Sequence, residues 1–515
     1  MLTLIQNQSL DEQINLQFSN ATKWFVDAVL AEIPITENVG IPWVVIVLIL
    51  GAGYFTFYFK LVNVREFLTA IKVVKGNYDD LETQGKITVS NAVSTIDGDN
   101  PDTIRVEGHG EGEVSHFQAL TAAVSATVGL GNIAGVAIAL SIGGAGATLW
   151  MVLAGLLGMS SKFVECTLGV KYREIDANGT IYGGPMYYLK KGLKEKGLGK
   201  LGKVLAVAFA IMCIGGSFGG GNMFQVNQAF KLFEYVTGGE QSFIFGKGWI
   251  FGIVMAILVG IVIIGGIKKI AKVTDKVVPL MVIVYLLAVL TILGMNFSKI
   301  PEAFAAIWDG AFSPQSIGGG FIGVLVQGFK RAAFSNEAGI GSSSIAHSAV
   351  KTNFPASEGL VALLEPFIDT VVVCTMTALV LIITGQVDTS AAIDFEQGVI
   401  LTSTALESEI SWFPYVLTVA VILFAFSSMI SWSYYGYQSW SFLFGRGKKT
   451  EYTYKLMFCV FTVIGAAATL TAVMDFSDAM IFAMLVPNMI GLFLLRKKVL
   501  DELLRYKAII KKKWN

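Results

Sequence analysis

Charge is scarce in this chain. Asp, Glu, Lys and Arg make up 15% of its 515 residues, against roughly 25% in a typical soluble domain. The formal net charge is zero, so no broad basic face is offered to nucleic acid. Cysteine is rare as well. Cys166, Cys213, Cys374 and Cys459 each stand alone in an apolar run. None has the spacing of a metal or redox pair, and they read as small buried hydrophobes. No apolar segment carries paired aspartates or a His-Glu-x-x-His helix, which argues against an intramembrane enzyme. The first 40 residues contain Asp11, Glu12, Asp27, Glu32 and Glu37 and no basic region ahead of a short apolar core. No cleavable signal peptide is therefore expected, and the apolar run from Ile41 would direct insertion.

What the chain has instead is apolar length. Hydrophobic residues make up 54%, the mean hydropathy is +0.63, and the 55 glycines suit helices that pack closely or break in a membrane. A spanning helix needs about 20 mostly apolar residues. Eleven segments qualify: 41–61, 118–140, 147–169, 204–231, 248–265, 277–296, 318–348, 356–385, 412–440, 454–473 and 476–495. The basic residues Lys171 to Lys203, Lys268 to Lys276, Arg446 to Lys449 and Arg496 to Lys498 then share one side, and the acidic 386–411 loop lies on the other. The basic side is expected to be cytoplasmic, with the N-terminus outside and the C-terminus inside.

Two segments are too polar or too glycine-rich to be plain lipid-facing helices. The second holds Thr127-Val128-Gly129-Leu130-Gly131-Asn132-Ile133-Ala134-Gly135, and the seventh runs from Lys330 through Phe334-Ser335-Asn336-Glu337-Ala338-Gly339 to Ser342. Broken backbone at membrane depth is tolerated where it lines a cavity or binds something. If the first segment is an extra helix, the breaks fall in the first member of each of two five-helix sets. An odd number per set makes the second set enter from the opposite side, the signature of an inverted repeat with a central site. Such a site suits a zwitterion. Free N–H groups at helix ends face the carboxylate, and freed carbonyls face a sodium ion and the ammonium group.

The chain resembles the alanine or glycine:cation symporter family. The motifs are Ser115-His116-Phe117-Gln118-Ala119-Leu120, the break from Gly129 to Gly135, Gly183-Gly184-Pro185-Met186-Tyr187-Tyr188 and Gly221-Asn222-Met223-Phe224-Gln225. They continue with Phe334 to Gly339, Phe367-Ile368-Asp369-Thr370 and Trp432-Ser433-Tyr434-Tyr435-Gly436. The likeness runs from the first apolar segment to about residue 495, apart from the first 40 residues and a longer 76–112 stretch. It implies an all-α, leucine-transporter-like fold of five plus five helices and sodium-coupled symport of alanine or glycine, with sodium as the coupling ion and no other cofactor. The break also resembles that of neurotransmitter:sodium symporters. By that likeness the amides of Gly129 and Gly131 face the substrate carboxylate beside Leu130, where some relatives carry Thr. The carbonyls of Ser125 and Val128 and the hydroxyls of Ser427 and Ser428 hold sodium. Gln225, Phe334 and Trp432 line the substrate pocket, Asn336 joins them in the second break, and Asn132 and Glu337 are candidates for coupling.

The resulting division is a polar extracytoplasmic segment 1–40, a first helix 41–61, a cytoplasmic insert 62–116, repeats 117–297 and 298–496, and a basic tail 497–515. Within the insert, Lys86 to Val106 reads as a small hairpin, and Asp97 to Pro101 reads as a solvated turn, lacking the calcium-loop spacing. Lys162 and Glu165 are expected to pair with each other or with neighbours. Glu337 beside Lys330 and Arg331 suggests either an ion cluster or a coupling group. Glu365 and Asp369 are read as helix-packing hydrogen bonds or a proton relay, His347 as interfacial, and Gly183 to Pro185 as a turn. Proton coupling on the same fold and a passive channel remain the alternatives to sodium symport.

Overall fold

The computed structural model describes residues 9–36, 39–79, 81, 115–175, 181–265, 268–312, 320–386 and 397–514. The expected Lys86–Val106 hairpin, the Asp97–Pro101 turn and most of the acidic 386–411 loop's carboxylates lie outside them. Within this range the chain is almost wholly helical, as its apolar, proline-poor runs dictate.

The polar N-terminus is structured. Ser9 and Glu12 form a reciprocal cap, each backbone N–H donating to the other's side chain, and start helix α1 (Leu10–Val29). A two-stranded hairpin, β1 (Glu32–Thr36) and β2 (Val39–Pro42), leads into α2 (Trp43–Tyr58). Asp11 accepts from the amides of Gly248 and Trp249 at 2.7 and 3.2 Å. Burial pushes the Asp11 carboxyl above its ordinary value, and those two amide bonds oppose the push. Phe18 packs edge-on against Phe476, with ring centroids 5.1 Å apart.

The first broken helix comprises α3 (His116–Thr127) and α4 (Val136–Gly143), joined through a π-helical turn at Gly131–Gly135. Then come α5 (Ala147–Tyr172), α6 (Pro185–Glu195), α7 (Gly199–Phe218), α8 (Phe224–Val236), α9 (Gly248–Gly265), α10 (Lys268–Met295) and α11 (Ile300–Phe312). A π-helical turn at Gly219–Met223 joins α7 to α8. The second broken helix is α12 (Gly320–Asn336) and α13 (Ser343–His347). It is followed by α14 (Pro355–Ala362), a π-helical stretch at Phe367–Cys374, α15 (Thr375–Ile383), α16 (Val399–Glu407), α17 (Phe413–Phe444), α18 (Lys448–Ala467) and α19 (Leu470–Trp514).

Five described helical stretches are long and apolar enough to cross a membrane: Ala147–Tyr172, Gly199–Val236, Pro355–Ile383, Phe413–Phe444 and Leu470–Lys511. Val282–Met295 with Phe297–Phe312, bent by 78°, makes a sixth if counted as one. The count of eleven is not met by length alone: the two breaks divide their segments into short pieces, and Trp43–Tyr58 and Gly248–Ile263 are apolar but shorter than a full span. Residues 497–514 of the basic tail continue α19, with a buried Tyr506 and an ion pair of Lys507 with Glu66. Helices α11 and α16 were not anticipated. The boundary between the last two segments falls at Ala468–Thr469, where Thr469 N–H donates to Asn15 of α1.

Candidate functional site at the two helix breaks

Helix α3 ends where Val128 turns extended, at φ −72° and ψ 103°. Asn132 then closes the break on itself. Its Oδ1 accepts from Gly129 N–H at 2.8 Å, and its Nδ2 donates to the backbone oxygen and Oδ1 of Asp369 at 3.0 and 2.8 Å. The Gly129 amide, read from the sequence as facing the substrate carboxylate, is here bonded within the break. The two breaks approach closely at Gly131, where a Cβ would lie a tight 3.2 Å from the Cα of Ser335 in the second broken helix.

Helix α12 ends because Glu337 takes a left-handed φ of 57°, and Gly339 and Gly341 continue at 83° and 102°. A non-glycine residue held there stores strain, which the surrounding bonds must fix. Asn336 Oδ1 accepts from Ala338 N–H at 2.9 Å, and its Nδ2 donates to Thr370 at 2.8 Å. Glu337 accepts from Ser342 and Ser343. The freed carbonyls find donors too: Lys162 bonds Asn336 O at 2.7 Å and Asn488 bonds Gly339 O at 2.9 Å. A lysine at the carboxyl end of a half-helix is favoured by the helix dipole. Asp369 ties the two breaks together, since its Oδ2 accepts from Ser335 and Thr370 at 2.8 Å each while Asn132 holds its other oxygen.

A small cavity lies between the breaks. Of the residues read from the sequence, Leu130, Gly131, Gln225, Phe334, Glu337, Ser428 and Trp432 line it. Thr127, Gly220, Ser335 and Ile481 complete the wall and were not singled out. Gln225 Nε2 donates to Gly220 O at 2.9 Å, while its buried Oε1 has no partner among the described residues. Trp432 and Phe334 are 4% and 7% exposed, so they close the cavity rather than face lipid. Asn336 is absent from the lining, its amide spent on the break. Val128, Gly129 and Asn132 border a separate, mostly apolar space of about 210 Å³ with Tyr285 and Phe424. Signals for the missed residues were weak: Gly220 was one of many membrane glycines, and Ile481 one of many aliphatics.

Ser427 and Ser428 are buried on α17 beside α3, and a Cβ on Gly129 would lie 3.1 Å from Ser428 Oγ. Thr418, Ser433 and Ser441 on the same helix bond their own backbone. Ser427 and Ser428 show no such bond among the described residues. Ser125 belongs to α3 by its backbone, and its side chain lies outside the described set.

The other polar expectations resolve as follows. Lys162 pairs with Glu365 at 3.2 Å and Glu165 accepts from Asn488 at 3.1 Å, so neither pairs with the other. Lys330 and Arg331 pair with Asp478 rather than with Glu337. His347 is fully buried, which corrects its interfacial reading. Gly215 to Gly219 spells Gly-x-Ser-x-Gly, but it lies at the end of α7 and Ser217 donates to Ile214 O at 2.8 Å. A helical, backbone-bonded serine is not a nucleophile on a strand-to-helix turn.

Comparison with known proteins places this architecture. The sodium:alanine symporter family model matches residues 101–515. The sodium/alanine symporter AgcS of Methanococcus maripaludis is 41% identical over 402 residues, covering 78% of this chain and 86% of that protein. The probable sodium/glutamine symporter GlnT of Bacillus subtilis is 32% identical, covering 90% of this chain and 87% of its own length. Among solved structures, MhsT in complex with L-phenylalanine superposes with a TM-score of 0.52 over 76% of this chain and 93% of its own, at 18% identity. That likeness is one of fold, the leucine-transporter-like arrangement with two broken helices. The chain is a multi-pass membrane protein of a transporter family, built for cation-coupled amino-acid symport, and it belongs to the sodium:alanine symporter family.

Proposed function

We propose that this chain imports small neutral amino acids, alanine and glycine foremost, on a sodium gradient across the cell inner membrane by alternating access. The observation that carries the reading is the cavity between the breaks, walled by Trp432 and Phe334 and presenting the unpartnered Gln225 Oε1. A buried acceptor without a donor is costly, and a substrate ammonium group supplies one. The Gly131 amide, beside Leu130, is left for the carboxylate. The aromatic walls leave room for a short side chain only. Ser427 and Ser428, with the carbonyls of Ser125 and Val128, form the sodium site. Hydroxyls not bonded to their own helix need another partner. The basic loops and the C-terminus face the cytoplasm and the N-terminal helix faces outside.

The test is uptake of labelled alanine into proteoliposomes, with glycine and serine competing. Accumulation should follow an imposed sodium gradient at fixed pH. Accumulation that ignores sodium and follows a pH gradient would replace sodium with the proton as coupling ion.

A further inference from the structure

One set of buried charged groups takes no part in the site above. His347 on α13 is fully buried with a carboxylate at each ring nitrogen. Its Nδ1 lies 2.5 Å from Glu358 Oε1 and its Nε2 3.4 Å from Glu365 Oε2. Glu358, on α14, also meets Nδ1 of His116 in the first turn of α3. Ser357 faces the other nitrogen of His116 at 3.4 Å. Glu365 in turn pairs with Lys162 of α5. Lys162 reaches Ser343 and the carbonyl of Asn336, and Ser343 faces Glu337 at the cavity wall. At the outer end, Arg173 donates to the carbonyls of Ser348 and Val350, just past His347. The remaining charge facing this chain is Glu165, which Asn488 holds.

The two flanking carboxylates fix a proton count. A carboxylate only accepts, and a neutral imidazole has a single donor. Both contacts of His347 are hydrogen bonds only if the ring is an imidazolium. His116 needs one N–H, toward Glu358; its other nitrogen makes a long contact with Ser357, whose hydroxyl donates to the Phe354 carbonyl. Glu358 and Glu365 then each face a cation, His347 and Lys162 respectively, the pairing that buried charges favour.

We propose that the proton His347 carries on Nε2 fastens α13, and through Glu358 the start of α3, to the Glu365–Lys162 pair on α5, and that the side bearing Arg173 opens when this proton leaves. The locked elements are α3 through His116 and α13 through His347, joined at Glu358 and anchored to α5 through Glu365. Water reaching His347 takes the proton from Nε2, and the nitrogen left behind turns a lone pair toward Glu365. The contact becomes repulsive, and the hold of α13 on the α5 anchor falls to the bond between Lys162 and Ser343. Glu358 keeps both histidines, so the break is confined to one joint. The sidedness rests on the transport reading; the lock itself rests on the contacts alone.

The test uses the full chain in nanodiscs with spin labels on Phe117→Cys, next to His116, and Tyr452→Cys at the start of α18. Both positions are exposed, at 60% and 51%. Distances between the labels are measured from about pH 6 to about pH 9, a window that includes and extends above the free imidazole value of about 6.5. A longer distance should grow in as pH rises. It should be populated at every pH in His347→Gln, which cannot carry the charge. Its rise should follow a single titration, roughly tenfold per pH unit below the midpoint. Alanine efflux from proteoliposomes, measured in parallel, should accelerate with the same midpoint. A distance that stays constant in the wild type, or an unchanged pH response in His347→Gln, overturns the lock. A pH-driven distance change without sodium-driven alanine flux keeps the lock and sinks the transport reading.

Discussion

Gly221 tests whether Trp432 is a pocket wall, without touching any polar group. A Cβ on Gly221 would overlap the Cβ, Cγ and Cδ2 atoms of Trp432, the last at 2.6 Å. The indole is rigid and fixed to α17, so it cannot give as a flexible chain would. Because the Cβ of Trp432 is itself only 2.3 Å away, rotation of the indole cannot relieve the overlap, and the α17 backbone must shift the ring that lines the cavity. Overpacking of this kind costs about 1–3 kcal/mol, which corresponds to roughly 5–150-fold in an equilibrium at about 1.4 kcal/mol per tenfold. Gly216 is the control. An added Cβ there meets the Met484 sulfur at 3.0 Å and Trp432 only at 3.7 Å, and a thioether can move aside. Gly221→Ala should therefore raise KM for alanine within that range, with glycine affected less because it lacks the methyl group. Gly216→Ala should stay near wild type. The assay is competitive uptake in proteoliposomes, with thermal unfolding confirming that both variants fold. A folded Gly221→Ala that saturates with alanine as the wild type does, with an unchanged order of preference, would show that Trp432 does not set pocket size.

Trimming Trp432 to Leu should act in the opposite direction, admitting valine or leucine and narrowing their disadvantage by roughly 10–200-fold; continued rejection with wild-type alanine kinetics would remove Trp432 from the wall. The double variant Ser427→Ala with Ser428→Ala should shift the sodium dependence of uptake far more than saturation by alanine, and equal shifts in both would point to a packing role. Cysteines placed at Lys191 and Asn515 should resist an impermeant thiol reagent in intact cells, whereas ready labelling would reverse the orientation drawn from the basic loops.

The positions of the breaks were legible because clustered glycines and polar side chains weaken a lipid-facing helix, and a membrane tolerates them together only where backbone lines a cavity. Phe334, Trp432, Gln225 and Ser428 were placed by resemblance, and the structure brings them around one cavity. What the sequence could not convey was which partner each polar group takes. Asn132 was read as a candidate for coupling and Asn336 as a pocket residue; in the structure each bonds within the break in which it sits. Asp369 was read, with Glu365 four residues before it, as a helix-packing hydrogen-bond group or a proton relay, and from a π-helical stretch starting at Phe367 it bonds Asn132 and Ser335. Ideal helical spacing hides such a stretch. The pairing of Arg331 with Asp478 and of His116 with Glu358 spans 147 and 242 residues, a separation over which local pattern carries no information.

These long-range pairs bear on how the cavity can open in turn to each side. Arg331, 1% exposed, joins α12 to Asp478 of α19, with its guanidinium 5.2 Å from the centroid of the Phe334 ring. Lys162 and Glu365, both at 0%, join α5 to the start of the π-helical stretch beyond the second break. A buried ion pair is a weak static stabiliser, because each partner gives up several kcal/mol of hydration that the mutual attraction only roughly restores. For an element that must exist in two states this balance is useful. When either pair separates into a water-filled pathway, both charges recover their hydration, so the open form lies close in free energy to the closed one. An apolar seal of the same area would have no such compensation: exposing it costs about 25 cal/mol per Å². Ion pairs on either side of a small cavity, with one aromatic ring beneath Arg331, therefore permit closure against water without making either opening prohibitively uphill, and a few contacts from a bound zwitterion are enough to shift the balance.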